Sequence, residues 1–172
     1  LRAVSRVRAR VPLLVDISRS MNLEAGEGTR AEVVTRHVTD SRDRLAAIAD
    51  RALVEPILFG ERSRPVDEIP ATLRCDDGET DLLRAVSDLA SSSTIRQLGA
   101  VVLYSDGVDT RGLTPALARR KGSELGAPIY AIGFPRNAAS ADLAIRRILA
   151  DEFAFVHNAV TIDAEIEARQ ND

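Results

Sequence analysis

The amino-acid sequence predicts an α/β fold: a doubly wound, Rossmann-like, mostly parallel sheet with one antiparallel edge strand, helices on both faces and a C-terminal β extension. Three observations carry this prediction. The apolar runs Val11-Pro-Leu-Leu-Val-Asp16 and Gly99-Ala-Val-Val-Leu-Tyr-Ser-Asp106 are short and continuous, as suits strands buried on both faces. Segments with helical spacing of apolar residues stand between the strand-like runs, and such alternation marks a parallel sheet. Both runs also close on an aspartate, at the strand end where open α/β sheets gather their ligands.

The first strand runs from Val11 to Asp16. After a loop holding Gly26 and Gly28, Thr29-Arg-Ala-Glu32 has capping-box spacing. Val34, Val38, Leu45, Ile48 and Ala52 follow at helical intervals, which predicts one long amphipathic helix to about Arg51. Leu53 to Phe59 reads as a second strand ending at Gly60. Arg64 to Ile69 is its short charged partner, an edge strand limited by Pro65 and Pro70. A polar loop, Asp76 to Thr80, enters a helix marked by Leu82, Leu83, Val86 and Leu89 that ends in the serine run Ser91 to Ser93. After the strand Gly99 to Asp106, Thr114 caps a helix with Pro115 at its first position. Leu117 and Leu125 lie on its inner side, and Gly126 stops it before a last sheet strand, Pro128 to Phe134.

From Pro135 the texture changes. Pro135 to Ser140 is linker-like, and Leu143 to Leu149 fits either a short helix or a strand, with strand favoured. Val160, Ile162, Ala164, Ile166 and Ala168 alternate with Thr161, Asp163, Glu165 and Glu167, the period of a half-exposed strand. The expected division is residues 1–138 as the α/β domain and 139–172 as linker and β-strand extension. Leu1 is not an initiator Met, no signal peptide precedes the first strand, and Asp172 falls in a patterned segment, so a longer parent protein is expected.

Composition narrows the function. The 172 residues are 45% hydrophobic and 28% charged, which is globular composition, and no run approaches the roughly 18 to 20 apolar residues of a membrane span. A net charge of −3 offers no basic footprint for nucleic acid. Lys121 is the only lysine, and the arginine bias reflects coding rather than chemistry. Cys75 is alone, which excludes an internal disulfide or a thiolate cluster, and the widely separated His37 and His157 make no His-rich metal site. The glycines form no phosphate cradle, since neither Gly-x-Gly-x-x-Gly nor a P-loop Lys is present.

The chemistry lies in three loops. Asp16-Ile-Ser18-Arg-Ser20 sets a carboxylate and two hydroxyls at alternating positions, where extended backbone points them the same way. Thr80 adds a hydroxyl from a second loop and Asp106 a carboxylate from a third. An all-oxygen set with two negative charges is what hard divalent cations take: Mg²⁺ first, with Mn²⁺ or Ca²⁺ as alternatives. Incomplete protein coordination leaves a position for an outside oxygen.

In these residues the chain resembles a von Willebrand factor type A (vWA) domain of the kind also inserted in integrins. The resemblance rests on Val-Asp-Ile-Ser-Arg-Ser-Met, Gly-Glu-Thr-Asp-Leu and Tyr-Ser-Asp-Gly-Val-Asp, and covers roughly residues 10 to 135. The metal-ion-dependent adhesion site of that family is complete at Asp16, Ser18, Ser20, Thr80 and Asp106. It implies direct ligation by Ser18, Ser20 and Thr80, with Asp16 and Asp106 direct or through water, and a protein partner whose Asp or Glu completes the shell. The tail departs from the family, which usually adds a further strand and helix. Asp142-Leu-Ala-Ile, Phe155 and the alternating strand instead resemble the opening of an Ig-like adhesion β-sandwich. That implies a multidomain, membrane-anchored bacterial envelope parent, an extracytoplasmic location with a cytoplasmic one as the alternative, and a strand edge through which copies could self-associate.

Around this set, Ser105, Gly107, Asp81 and Asp109 are rim or supporting candidates. Ser105 can hydrogen-bond a ligand and Gly107 can allow close backbone approach, though turn chemistry explains each as well. Asp81 suits a helix start, which is its favoured role. His37 and His157 read as surface or packing residues. Cys75 beside Asp76 and Asp77 is a poor nucleophile, because their charges oppose the thiolate.

The expected function is therefore a non-catalytic, metal-dependent protein-interaction or adhesion module, with no nucleic acid and no direct membrane contact. One rival is a Mg²⁺-dependent phosphohydrolase, which lacks a second Asp two residues after Asp16 and a Lys near the site. The other is a structural spacer whose metal site is unused.

Overall fold

The computed structural model describes residues 8–91, 98–134, 142–150 and 162–169. His157, Phe155, Val160, Thr161, Ser92, Ser93 and the linker-like stretch 135–140, all singled out in the sequence, lie outside the described residues. The chain divides into two units, Leu1–Pro135 and Arg136–Asp172.

In the first unit, strands β1 (Ala9–Asp16), β2 (Ala52–Phe59), β3 (Ser63–Pro65), β4 (Val101–Tyr104) and β5 (Ile129–Ile132) form one sheet in the order β3-β2-β1-β4-β5. β1 pairs in parallel with β2 and β4, and β4 with β5, whereas β3 runs antiparallel to β2. The winding reverses at β1. Its carboxyl end and that of β4 are adjacent, with Val15 opposite Tyr104, and a crevice opens at such a switch point.

Helices α1 (Arg30–Asp40) and α2 (Arg42–Ala47) follow β1, α3 (Leu82–Ser91) precedes β4, and α4 (Pro115–Glu124) precedes β5. Alternation along β1 divides the core into two layers. Leu13, Val15 and Ile17 pack with Ala31 and Val34 of α1, together with Met21, Leu73 and Tyr104. On the opposite side Leu14 joins Ile57 and Phe59 of β2, Leu82, Ala85 and Leu89 of α3, and Leu125. Residues 13–16 of β1 are buried throughout, as their continuous apolar run requires.

Four element boundaries differ from the sequence expectation. The long helix is broken at Ser41, whose ψ is 0°, and the chain leaves α2 in turns before β2. Thr35 and Thr39 donate hydroxyl hydrogen bonds to the carbonyls of Ala31, Glu32 and Thr35 just upstream, a back-bonding that bends helices. The edge strand is the three-residue β3 rather than Arg64 to Ile69, and Val66 still donates to the Pro56 carbonyl. β4 and β5 are shorter than their apolar runs, because the flanking residues already turn into loops. The capping box at Thr29 and Glu32 and the Thr114 cap with Pro115 behind it are formed as the spacing predicts.

In the second unit, β6 (Asp142–Ala150) and β7 (Ile162–Arg169) pair antiparallel, with an irregularity between Ile145 and Arg147. The segment from Leu143 to Leu149 is thus a strand. No helix among the described residues is long and apolar enough to cross a membrane.

Candidate functional site

The three loops that carry the oxygen-bearing residues meet at one end of the sheet. Asp16 is the last residue of β1, and Ile17 N–H donates to the Phe59 carbonyl at 2.8 Å, holding this exit against the end of β2. The second loop is fastened to the same place: Asp81 N–H donates to the Gly60 carbonyl at 3.0 Å, and Arg19 N–H to the Asp77 carbonyl at 3.0 Å. The third loop follows β4 directly, so Ser105 comes beside Asp16.

Asp16 is fully buried. Its Oδ1 accepts from Ser18 N–H at 2.9 Å and its Oδ2 from Ser105 Oγ at 2.8 Å. Burial pushes its carboxyl up from the ordinary 3.8, the bonds from Ser18 and Ser105 pull it back, and the nearby Asp106 charge adds to the rise. A carboxylate in that condition gains from a bound cation. Ser18 Oγ and Ser20 Oγ lie 3.1 Å apart at the start of a short 3₁₀ turn, Arg19–Asn22, which Ser18 immediately precedes.

Asp106 is held at both oxygens. Val108 N–H donates to Oδ1 at 3.0 Å, and Arg30 Nη1 to Oδ2 at 2.5 Å. The same Arg30 nitrogen reaches the Ser20 carbonyl at 3.0 Å, so one guanidinium ties the first loop to the third. Thr80 is buried, and its main chain pairs with Thr110: Thr110 N–H donates to the Thr80 carbonyl at 3.0 Å, and Thr80 N–H to Thr110 Oγ1 at 2.9 Å. The second and third loops are joined in this way.

The rim candidates separate clearly. Ser105 touches Asp16 and also accepts from Gly107 N–H at 3.1 Å, while Gly107 takes a φ of 77°, which favours glycine. Asp109 organises backbone: Oδ1 accepts from Leu82 N–H, and Oδ2 from the N–H groups of Arg111 and Leu113. Asp81 accepts from Arg84 N–H at 2.8 Å, the helix-start role expected of it. His37 packs edge-on against Tyr104 and bonds its hydroxyl at 3.1 Å. Cys75 is buried, and its thiol is pushed up to about 11, first by burial and then by Asp16, Asp76 and Asp77.

Arg30 and Thr110 went unnoticed in the sequence. Arg30 had one available signal, a cation at the first residue of a helix, where the dipole favours acids. Thr110 had none.

Among the described residues, no group of three or more His, Cys, Asp or Glu side chains could hold a metal. Any cation site here depends on hydroxyls supplementing two carboxylates. The donor set fits a hard ion: oxygens on adjacent positions of an octahedral Mg²⁺ at about 2.1 Å would be about 3.0 Å apart, close to the separation of the two serine hydroxyls. Ser18, Ser20, Thr80, Asp16 and Asp106 could hold such an ion, and no nitrogen or sulfur donor is present to favour zinc.

No family model and no curated protein matches the chain. Solved structures share its fold. An aerotolerance-related membrane protein from Bacteroides fragilis, bearing multiple mutations to serines, is 20% identical, with a TM-score of 0.57 over 91% of this chain and 81% of that one. Proximal thread matrix protein 1 of the mussel byssus is 17% identical, with a TM-score of 0.54 over 74% of this chain and 38% of that one. The VWA domain of SpRpn10 aligns with 76% of this chain and 91% of that domain at 10% identity and a TM-score of 0.48. The five-stranded sheet, mostly parallel with one antiparallel edge and flanked by helices, is a doubly wound, Rossmann-like α/β arrangement.

Proposed function

We propose that this chain is a non-catalytic protein-interaction module of the vWA type, whose adhesion depends on a divalent cation held by Asp16, Ser18, Ser20, Thr80 and Asp106. One observation carries the reading: the loop leaving β1 sets two serine hydroxyls 3.1 Å apart beside a fully buried carboxylate at the switch point of the sheet, and the loops bearing Thr80 and Asp106 are fastened to it there. When bound, Mg²⁺, Mn²⁺ or Ca²⁺ would supply a Lewis-acidic position for an Asp or Glu of a protein partner. The chain's own residues do the rest. Asp16 and Asp106 balance the ion's charge, the neutral hydroxyls of Ser18, Ser20 and Thr80 leave it electrophilic, and Ser105 orients Asp16.

The vWA-like fold and the presence of a membrane protein among the fold's other bearers support an envelope-associated parent. The β6–β7 pair is in keeping with the start of an Ig-like domain.

Calorimetric titration of Mg²⁺ and Mn²⁺ into metal-stripped protein tests the site. One-to-one binding absent in Asp16→Ala and Asp106→Ala is expected, followed by metal-dependent capture of an acidic peptide panel. Binding unaltered in both variants would sink the assignment of these ligands.

A further inference from the structure

Arg30 stands where a helix least favours a cation. It is the first residue of α1, at the positive end of the helix dipole, and Thr29 and Glu32 already cap that end. Its side chain turns to the site instead. Nη1 lies 2.5 Å from Asp106 Oδ2 and 3.0 Å from the Ser20 carbonyl oxygen. The Asp106 side chain is 7% exposed and that of Arg30 is 23% exposed, so the pair is largely withdrawn from water, where a charge without a partner is costly. The two oxygens of Asp106 are held differently. Oδ1 is fixed by the Val108 backbone, whereas Oδ2 is held by a charge on a long side chain that can swing away.

We infer that Arg30 is a tethered surrogate cation: its guanidinium neutralises Asp106 while no divalent ion is bound, and it competes with the ion for Asp106 Oδ2. The inference rests on the metal reading proposed above. Two carboxylates at neighbouring strand ends, one of them fully buried, need positive charge to coexist, and Arg30 supplies one unit of it in the metal-free protein. A divalent ion brings twice that charge and no fixed planar geometry, so it can replace the guanidinium. The ion pair then sets a threshold, keeping cation affinity below what the five oxygen donors alone would give. The displaced guanidinium, still anchored on α1, remains at the rim where a partner's carboxylate would arrive.

The test is calorimetric Mg²⁺ titration of the metal-stripped parent chain, Arg30→Gln and Arg30→Lys, with thermal melts of each with and without Mg²⁺. Arg30→Gln is expected to bind Mg²⁺ about tenfold more tightly. It should melt lower than the parent without metal and recover more on saturation, since a ligand that binds only the folded state stabilises it. Arg30→Lys, which keeps the charge but loses the fixed fork, should fall between the two. Equal or weaker binding by Arg30→Gln while the parent binds overturns the inference and leaves the metal site standing. Absence of binding in the folded parent and both variants overturns the metal site and the inference together. Where Arg30→Gln does not fold, Arg30→Lys decides: affinity above the parent's supports the competition, and affinity at or below it overturns it.

Discussion

Ser105 Oγ donates a 2.8 Å hydrogen bond to Asp16 Oδ2, joining the loop after β4 to the last residue of β1. The bond crosses between neighbouring parallel strands at their carboxyl ends and is buried. It aims the one fully buried carboxylate of the site. Ser105→Ala is expected to lower stability by about 1–3 kcal/mol, the usual cost of removing a buried bond to a charged group. Mg²⁺ affinity should fall about tenfold at the same time. Urea melts and calorimetry on the same preparation check both, and an unchanged metal affinity would reduce Ser105 to a purely structural residue.

Asp109 belongs to the loop that carries Asp106, yet its carboxylate serves three backbone N–H groups, on Leu82, Arg111 and Leu113. It therefore starts α3 from outside that helix. Asp109→Ala should cost about 1–2 kcal/mol, as for loss of a helix cap. Metal stoichiometry should stay at one, read by titration at a temperature where the variant is still folded. Loss of the binding event in a folded variant would make Asp109 part of the site.

Gly60 closes β2 under the second loop. A Cβ there would run into Asp77 Oδ2 and lie 2.7 Å from Asp77 Cβ, and Asp77 Oδ2 is already bonded to Glu61 N–H at 3.1 Å. Gly60→Ala must push the loop bearing Thr80 away from the sheet. The expected cost is about 1–3 kcal/mol, together with weaker metal binding. A melt indistinguishable from the parent's would show that the loop yields freely.

Cys75 gives the pH prediction. Burial first, and Asp16, Asp76 and Asp77 after it, raise its thiol from the ordinary 9.0 to about 11. The folded protein thus holds this proton more tightly than the unfolded chain does. The resulting contribution to stability is fully present below pH 9.0 and is lost as pH rises through about 11. It amounts to something on the order of 2 kcal/mol. At pH 8 only about one folded molecule in a thousand carries the thiolate, so thiol reagents should label Cys75 slowly in the folded state and rapidly in denaturant. Comparing melts of the parent and Cys75→Ala from pH 8 to 11 isolates the contribution, and parallel curves would contradict it.

The alternation of apolar runs and amphipathic segments determined the sheet, its helices and the end at which polar residues collect. That follows because burial on two faces leaves β1 no polar position between Val11 and Asp16, and because Thr29 with Glu32 and Thr114 with Pro115 satisfy helix ends within three residues of chain. Such signals are local, and local physics decides them. The break at Ser41 was less evident, since it comes from threonine side chains returning to their own helix rather than from the apolar period.

The sequence alone also picked out Asp16, Ser18, Ser20, Thr80 and Asp106 as candidate oxygen donors, in three separate segments. What only the tertiary structure decided is how their neighbours treat them. Arg30 reaches Asp106 across 76 residues of chain and Ser105 reaches Asp16 across 89, separations at which no spacing rule operates. Whether an aspartate lies open, caps a helix or is neutralised by a guanidinium depends on which loops the strand order β3-β2-β1-β4-β5 brings side by side. That order is set by packing of both sheet faces at once, so the electrostatics of the site is a property of the assembled core and not of any one segment.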